Sequence, residues 1–142
     1  MPPENLRIFI IDDEECIRDS IAIYLTDLGH EVRVYDKPSL CPAFQGHNCK
    51  LAGPCADLIL VDQNMPGMSG LELLKRLINY GCHVLPPNRI IITGNAEPGL
   101  EAEVRKLGCQ IHQKPLRLNT ISDIINKAAL LISDDRKLSE LE

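Results

Sequence analysis

Short apolar runs alternate along the chain with longer segments in which apolar residues recur every three or four positions. The apolar runs predict strands at residues 6–11, 58–61, 89–93 and 109–112, and an alternating run predicts a half-exposed edge strand at residues 31–35. The periodic segments predict helices over residues 16–28, from residue 70, from residue 98, and across residues 121–132. Strands that are apolar along their whole length and alternate with helices are typical of a parallel sheet covered on both faces. The pattern therefore predicts an α/β fold built on such a sheet.

The crossover between the second and third predicted strands breaks this pattern. Residues 36–56 contain several helix breakers, among them Pro38, Pro42 and Gly53. Five strand and helix units in 142 residues fit a flavodoxin-like doubly wound sheet with strand order 2-1-3-4-5. We expect the second helix of that arrangement to be irregular, or to be replaced by this loop rich in Cys, Pro and Gly.

The length of 142 residues predicts one domain. We expect an N-terminal extension over residues 1–5, the domain over residues 6–132 with its atypical crossover at residues 36–56, and a polar C-terminal tail over residues 133–142. The first residues lack the cationic region of a secretory signal. Since no apolar stretch approaches the roughly 20 residues that span a bilayer, we expect a cytoplasmic protein with no membrane insertion.

Composition narrows the classes of function. The formal net charge is −5, which disfavours direct nucleic-acid binding because that activity requires a basic surface. Six cysteines in a chain with no predicted signal favour free thiols or a metal site over a disulfide framework. Two of them, Cys16 and Cys109, fall on regular elements and are predicted to be small core residues.

Polar side chains follow four of the predicted strands. Asp12 and Asp13 end the first strand, Asp62 ends the third, Thr93 ends the fourth, and Lys114 follows the fifth. Ligands of such sheets bind at the carboxyl ends of the strands. Crowded carboxylates require a cation, and Mg²⁺, or Mn²⁺ in its place, accepts oxygen ligands together with phosphate. A carboxylate beside such an ion can attack phosphorus, while an ammonium and a hydroxyl balance charge on the phosphoryl oxygens.

The sequence of residues 62–70, DQNMPGMSG, resembles the D-x-x-M-P-x-x-x-G signature of response regulator receiver domains, the chemotaxis-receiver-like modules of two-component signal transduction. The acid pair at residues 12–13, Thr93 followed by Gly94, and Lys114 followed by Pro115 occur in the order of that family. The resemblance extends over nearly the whole chain, and four motifs in order on the expected elements make it specific.

The resemblance implies that Asp62 accepts a phosphoryl group from a sensor histidine kinase or a phosphotransfer protein. Asp13 and Asp62 would bind Mg²⁺ together with the backbone carbonyl of Asn64, and Asp12 would act largely through water. The protein would not be an enzyme toward other molecules, because it would catalyse only its own aspartyl phosphorylation and dephosphorylation.

The resemblance also implies a switch. Thr93 would move to hydrogen-bond the phosphoryl group, Lys114 would pair with it, and Pro115 would follow a cis peptide bond. Receivers usually carry an aromatic residue at the position of Ile111, so here the switch would use backbone shifts or His112. The output would be altered binding of a downstream effector at the face formed by the family's fourth helix, fifth strand and fifth helix, and a homodimer is possible.

The crossover contains a further candidate site. Cys41, His47, Cys49 and Cys55 have the spacing C-x₅-H-x-C-x₅-C. Three thiolates and an imidazole can bind Zn²⁺ tetrahedrally, although the spacing lacks the short C-x₂₋₄-C pair of common zinc modules. A disulfide between two of these cysteines and unpaired loop thiols are the alternatives.

Two rival functions remain open from the sequence. A haloacid-dehalogenase-type phosphatase also arranges Asp, Thr and Lys around Mg²⁺, but it requires a second acid where this chain has Asn64, and usually a cap domain. A degenerate receiver could instead act as a constitutive binding module, with the cysteine loop as a redox or metal sensor.

Overall fold

The computed structural model describes residues 2–41, 43–44, 48–95 and 97–141. Its strands are β1 (Arg7–Ile11), β2 (Glu31–Tyr35), β3 (Leu58–Asp62), β4 (Arg89–Thr93) and β5 (Gln110–Gln113). Its α-helices are α1 (Glu15–Asp27), α2 (Gly70–Asn79), α3 (Leu100–Lys106) and α4 (Leu118–Leu130). Within these ranges, no helix has both the length and the hydropathy that a membrane span requires.

The five strands form one parallel sheet in the order β2-β1-β3-β4-β5, which confirms the predicted doubly wound topology. Side chains alternate between the two faces of each strand. On one face Phe9 and Val61 pack against α2 and α3. On the other, Ile10 and Leu60 pack against α1 and α4. Because both faces are covered, β3 and β4 are buried at every position.

Several element boundaries differ from the prediction by one to three residues, and two of these differences have a clear local reason. The strand predicted at residues 109–112 begins one residue later, because the amide of Cys109 still donates to the carbonyl of Val104 and completes the end of α3. The helix predicted from residue 98 begins at Leu100, since Gly99 adopts a left-handed backbone with φ of +86°.

The prediction for Cys16 was wrong, whereas Cys109 is buried as expected. Cys16 lies near the start of α1, where the helix face turns away from the sheet, and its side chain is exposed. Cys16 lies one position away from the buried face of α1, and the buried residues of that face are Ile21 and Leu25.

The crossover from β2 to β3 contains no α-helix among its described residues, in agreement with the prediction. Its regular structure is a single 3₁₀ turn, Pro38–Leu40. Buried Cys41 and Cys55 contribute to the apolar cluster under α2 and α3, where a crossover helix would otherwise pack.

The C-terminal segment folds back beneath the amino ends of the strands. Arg136 Nη2 lies 2.6 Å from Asp57 Oδ2, and the Asp57 side chain is only 1% exposed. Ser139 donates its amide to the carbonyl of Pro54 and its hydroxyl to that of Gly53. Leu141 packs against the apolar cluster on the α2 side. The tail predicted to be polar therefore closes the crossover loop through both polar and apolar contacts.

We expect Arg136→Ala to lower the free energy of unfolding by about 3 kcal/mol, because it leaves the Asp57 carboxylate buried without its cation. The measurement is urea denaturation at neutral pH. Arg105→Ala is the matched control, since Arg105 pairs with Glu101 at 2.7 Å in a largely exposed helix pair and its loss should cost less than about 0.5 kcal/mol. Equal effects of the two substitutions would contradict this role of the tail.

Candidate functional site

Three carboxylates converge at the carboxyl edge of the sheet. Asp12 follows β1, Asp62 ends β3, and Asp13 lies beside them, with one ligand oxygen of each within 4.8 Å of the others. Asp12 and Asp62 are 4% and 3% exposed, whereas Asp13 is exposed. Parallel pairing of β1 with β3 produces this convergence, because it brings the ends of both strands to one edge.

Lys114 supplies the cation nearest to these acids. Its Nζ lies 3.3 Å from Asp62 Oδ1, 3.4 Å from Asp12 Oδ2 and 3.4 Å from Glu14 Oε1. The amide of Lys114 donates to the carbonyl of Thr93 at 2.7 Å, which fixes the start of this loop to β4. The peptide bond between Lys114 and Pro115 is cis, as expected.

These contacts set the protonation of the site. Burial and the neighbouring Asp12 charge raise the pKa of Asp62 to about 6, against the amide of Asn64 and the charge of Lys114, which lower it. Burial lowers the pKa of Lys114, but attraction to Asp12, Asp62 and Glu14 outweighs burial and raises it. The lysine therefore stays charged, while Asp62 ionises at a higher pH than an ordinary aspartate does.

Local turns hold the two buried carboxylates in place. The amide of Glu14 donates to Asp12 Oδ1 at 2.8 Å, and the amide of Asn64 donates to Asp62 Oδ1 at 3.2 Å. In both cases an aspartate binds the backbone two residues further along, which is the usual Asx turn. Arg18 donates to the carbonyl of Asp12 at 2.9 Å and ties α1 to this loop.

The glycine that ends the signature at Gly70 is required by close packing. A Cβ at Gly70 would lie 2.9 Å from the carbonyl oxygen of Asp62, a distance that real Cβ atoms essentially never show. Ser69 accepts a hydrogen bond from the amide of Glu72 at 3.1 Å and so caps the N-terminus of α2. Gln63 Oε1 also accepts from the amide of Leu71 at 2.9 Å. The first turn of α2 is therefore locked directly against the Asp62 backbone.

Thr93 is 1% exposed at the end of β4. Its hydroxyl donates to the carbonyl of Asn95 at 2.9 Å and accepts from the amide of Asn95 at 3.2 Å. The hydroxyl is thus engaged with its own loop, and its predicted contact with a phosphoryl group stays a prediction.

Ile111 and His112 lie on the edge strand β5, beside a cavity of about 330 Å³ that Thr93 also lines. Ile111 packs against the apolar cluster on the α2 side. Burial, assisted by the charge of Lys127, lowers the pKa of His112. An aliphatic side chain therefore fills the position at which receivers usually carry an aromatic ring.

The acidic site suits a hard divalent cation. Three carboxylates face one ammonium, which leaves two negative charges in excess even before Glu14 is counted. Carboxylate oxygens are the ligands that Mg²⁺ accepts, usually with water and substrate phosphate completing its coordination. A cavity of about 560 Å³, lined by Asp12, Asp62, Lys114 and apolar side chains, opens beside these groups.

The structure describes only some of the residues of the cysteine site predicted in the crossover. His47 lies outside the described residues. Cys41 and Cys55 are buried, Cys49 is half-buried, and all three are free thiols, so the disulfide alternative is not present in this structure. Sequence reasoning missed Glu14, whose carboxylate contacts Lys114 and which could have been noticed because it directly follows the acid pair.

Comparisons with known proteins agree with this geometry. The response regulator receiver domain family matches residues 8–126. The transcriptional regulatory protein FixJ of Azorhizobium caulinodans is 37% identical over 106 residues, which cover 75% of this chain and 46% of FixJ. The sporulation initiation phosphotransferase F of Bacillus subtilis is 36% identical over 131 residues, which cover 87% of this chain and 93% of that protein.

A crystal structure of the FixJ N-terminal region superposes with a TM-score of 0.69 at 28% identity, covering 89% of this chain and 95% of that one. The chain spans about half the length of the FixJ proteins it matches, since the shares are 46%, 56% and 57% in three species.

We expect the Asp62 carboxyl of the metal-free protein to titrate with a pKa of about 6. Asp12→Asn should lower this pKa by removing a like charge, and Lys114→Met should raise it by removing an opposite one. Carboxyl chemical shifts followed by NMR against pH provide the measurement. Shifts in the reverse directions would contradict the electrostatic account.

The raised pKa of Asp62 also makes the free energy of unfolding depend on pH. The folded state binds the Asp62 proton more tightly than the unfolded chain does, because the folded pKa is the higher of the two. Without divalent ions, this group therefore makes stability fall as pH rises from about 4 through 6. Asp62→Asn should remove that part of the pH dependence in thermal unfolding.

Proposed function

The chain belongs to the response regulator receiver domain family, and on that basis we propose that it accepts a phosphoryl group on Asp62 in a Mg²⁺-dependent reaction. The donor would be a sensor histidine kinase or a phosphotransfer protein of a two-component system. The single observation that carries the proposal is the contact of Lys114 Nζ with Asp62 Oδ1, at 3.3 Å, inside the cluster of three carboxylates.

We assign the metal ligands by the family's motif. Asp13 and Asp62, with the backbone carbonyl of Asn64, would hold Mg²⁺, and Asp12 would hold it through water. The bound ion would supply positive charge against the phosphoryl oxygens. That charge would lower the raised pKa of Asp62, so the carboxylate would be more fully ionised at neutral pH and available as a nucleophile.

The transfer breaks one bond and forms one. An Asp62 carboxylate oxygen attacks phosphorus, the bond from phosphorus to the donor's imidazole nitrogen breaks, and the electron pair leaves with the imidazole. The product is an acyl phosphate on Asp62. Lys114 would pair with a phosphoryl oxygen throughout, as expected for phosphoryl transfer, where positioning and charge provide most of the rate.

The switch would begin at Thr93. Its hydroxyl would leave the backbone of Asn95 and donate to a phosphoryl oxygen, and the β4–α3 loop would move with it. Because Ile111 has no ring to reorient, the signal would pass through the backbone and His112. The effector would bind the surface of α3, β5 and α4, which corresponds to the family's fourth helix, fifth strand and fifth helix.

The test is incubation with Mg²⁺ and acetyl phosphate, followed by intact mass measurement. We expect one phosphoryl adduct on the chain, no adduct for Asp62→Asn, and none after the metal is chelated. Lys114→Ala should slow formation by about a hundredfold, the usual effect of removing one group that stabilises the transferring charge.

Asp19→Asn is the matched control, because Asp19 is a half-exposed carboxylate on α1 that lies outside the cluster. It should react as the unmodified chain does. An adduct that survives Asp62→Asn would refute the proposal. Steady release of phosphate from a simple phosphomonoester would favour the phosphatase alternative instead.

A further inference from the structure

The cavity of about 560 Å³ beside the acidic cluster lies between helix α1 and the loop that joins β5 to α4. Its volume falls within the roughly 300–1,000 Å³ that is usual for small-molecule sites. Asp12, Asp62 and Lys114 line one end of it. Most of the remaining wall is apolar and includes Ile10, Ile17, Leu60, Ile92 and Leu116.

The alternation of side chains along the strands joins the apolar floor of this cavity to the acids. On β3, Asp62 follows Leu60 by two residues, so both side chains lie on the same face of the sheet. The same spacing relates Asp12 to Ile10 at the end of β1. Leu60 and Ile10 belong to the apolar cluster between the sheet and helices α1 and α4. A molecule held at the carboxylates therefore has an apolar surface immediately beside it.

Two small side chains of α1 leave the cavity open to solvent. Cys16 and Ser20 both line it and are both exposed, so they lie at its mouth. They are four residues apart in the helix, which places them on the same face, one turn from each other. Gly94, which also lines the cavity, has no side chain to close it. A larger side chain at either position of α1 would occupy the opening.

The hydrogen-bonding side chains near the mouth already have partners. The Ser20 hydroxyl donates to the carbonyl of Cys16 at 2.7 Å. Arg18, on the same turn of α1, donates to the carbonyl of Asp12 at 2.9 Å. Lys114 Nζ lies 3.3 Å from Asp62 Oδ1. Charge is therefore concentrated at the end of the cavity where the acids lie, and the rest of the wall offers a ligand mainly apolar contact.

We propose that this cavity binds the alkyl chain of a small acyl phosphate that donates its phosphoryl group to Asp62. The inference rests on the proposed function and adds a preference for donors with longer alkyl chains than acetyl phosphate has. An Asp62 carboxylate oxygen attacks phosphorus, the bond from phosphorus to the acyl oxygen breaks, and its electron pair leaves with the carboxylate product. Cys16 and Ser20 set how long an alkyl chain the cavity admits.

The test compares acetyl, propionyl and butyryl phosphate as donors in the presence of Mg²⁺. Intact mass measurement follows adduct formation at donor concentrations well below saturation, so the initial rate gives the second-order rate constant. The three donors release carboxylates of nearly equal basicity, so a difference in rate reports contacts of the alkyl chain. Since burying one methylene contributes roughly fourfold, we expect butyryl phosphate to react about tenfold faster than acetyl phosphate.

Filling the cavity should remove this preference. In Cys16→Phe and in Ser20→Leu, we expect the ratio of the butyryl to the acetyl rate constant to fall from about ten to below about two, because the alkyl chain loses its apolar contacts. Intrinsic donor reactivity cancels, since each variant is measured on the same two donors. Both positions are exposed on the helix, where substitutions are usually tolerated, and the second variant keeps the test decisive if the first does not fold.

Ile23→Phe is the matched control. Ile23 is 64% exposed on α1 and does not belong to the described lining of the cavity, so the same ring added there should keep the ratio at about ten. A readout independent of reaction comes from alkylphosphonates, which cannot transfer their phosphorus. With Mg²⁺ present, butylphosphonate should shift the methyl NMR signals of Ile17 and Leu116, whereas methylphosphonate should not.

The outcomes separate this inference from the proposed function. Equal rates for the three donors, or a preference that survives both Cys16→Phe and Ser20→Leu, would overturn the inference and leave phosphorylation of Asp62 standing. Loss of the preference in Ile23→Phe would also overturn it, because the effect would then come from the helix and not from the cavity. Absence of an adduct with all three donors would refute the proposed function, and the inference with it.

Discussion

The close approach of three carboxylates at one edge of the sheet is the constraint on which the rest of this structure depends. Parallel pairing of β1 and β3 forces Asp12 and Asp62 together, and both are nearly buried. Like charges in such a place are unstable alone, which is why burial and Asp12 raise the pKa of Asp62 to about 6. Lys114, which follows β5, offsets part of this negative charge because its Nζ lies 3.3 Å from Asp62 Oδ1. The remaining negative charge would suit one more cation. The surrounding loops, including the close contact of Gly70 with the Asp62 carbonyl, preserve that balance.

The sheet and the acidic cluster could be predicted because both follow from local patterns and one topological rule. An apolar run identifies β4 and an alternating run identifies β2, and the bounds of both strands match the prediction at both ends. Once the strand order is 2-1-3-4-5, residues at the carboxyl ends must meet, so Asp62 and Lys114 come together without any knowledge of side-chain packing. The capping interaction of Ser69 is equally local.

Contacts between segments distant in sequence could not be predicted in this way. Nothing in the sequence places the α2–β4 loop against the crossover, yet the amide of Cys49 donates to the carbonyl of Tyr80. The pairing of Arg136 with Asp57 spans 79 residues and turns an apparently polar tail into part of the structure. The prediction that Cys16 is a core residue was wrong for a local reason. A helical pattern gives the direction of the buried face of a helix but not its width, and Cys16 is exposed.

The two unusual charge arrangements of this chain lie at opposite ends of β4. Thr93 ends the strand at the acidic cluster, and buried Arg89 begins it beside a thiol. A strand of five residues separates its ends by about 13 Å. At that distance the acids at one end form no direct hydrogen bond or ion pair with the cation at the other. The thiol that neighbours Arg89 is Cys109, whose pKa is raised by burial and lowered by the charge of Arg89. Buried Arg89 is therefore held at the end of β4 away from the acidic cluster, by a hydrogen bond to the carbonyl of Cys82 and by the neighbouring thiol of Cys109.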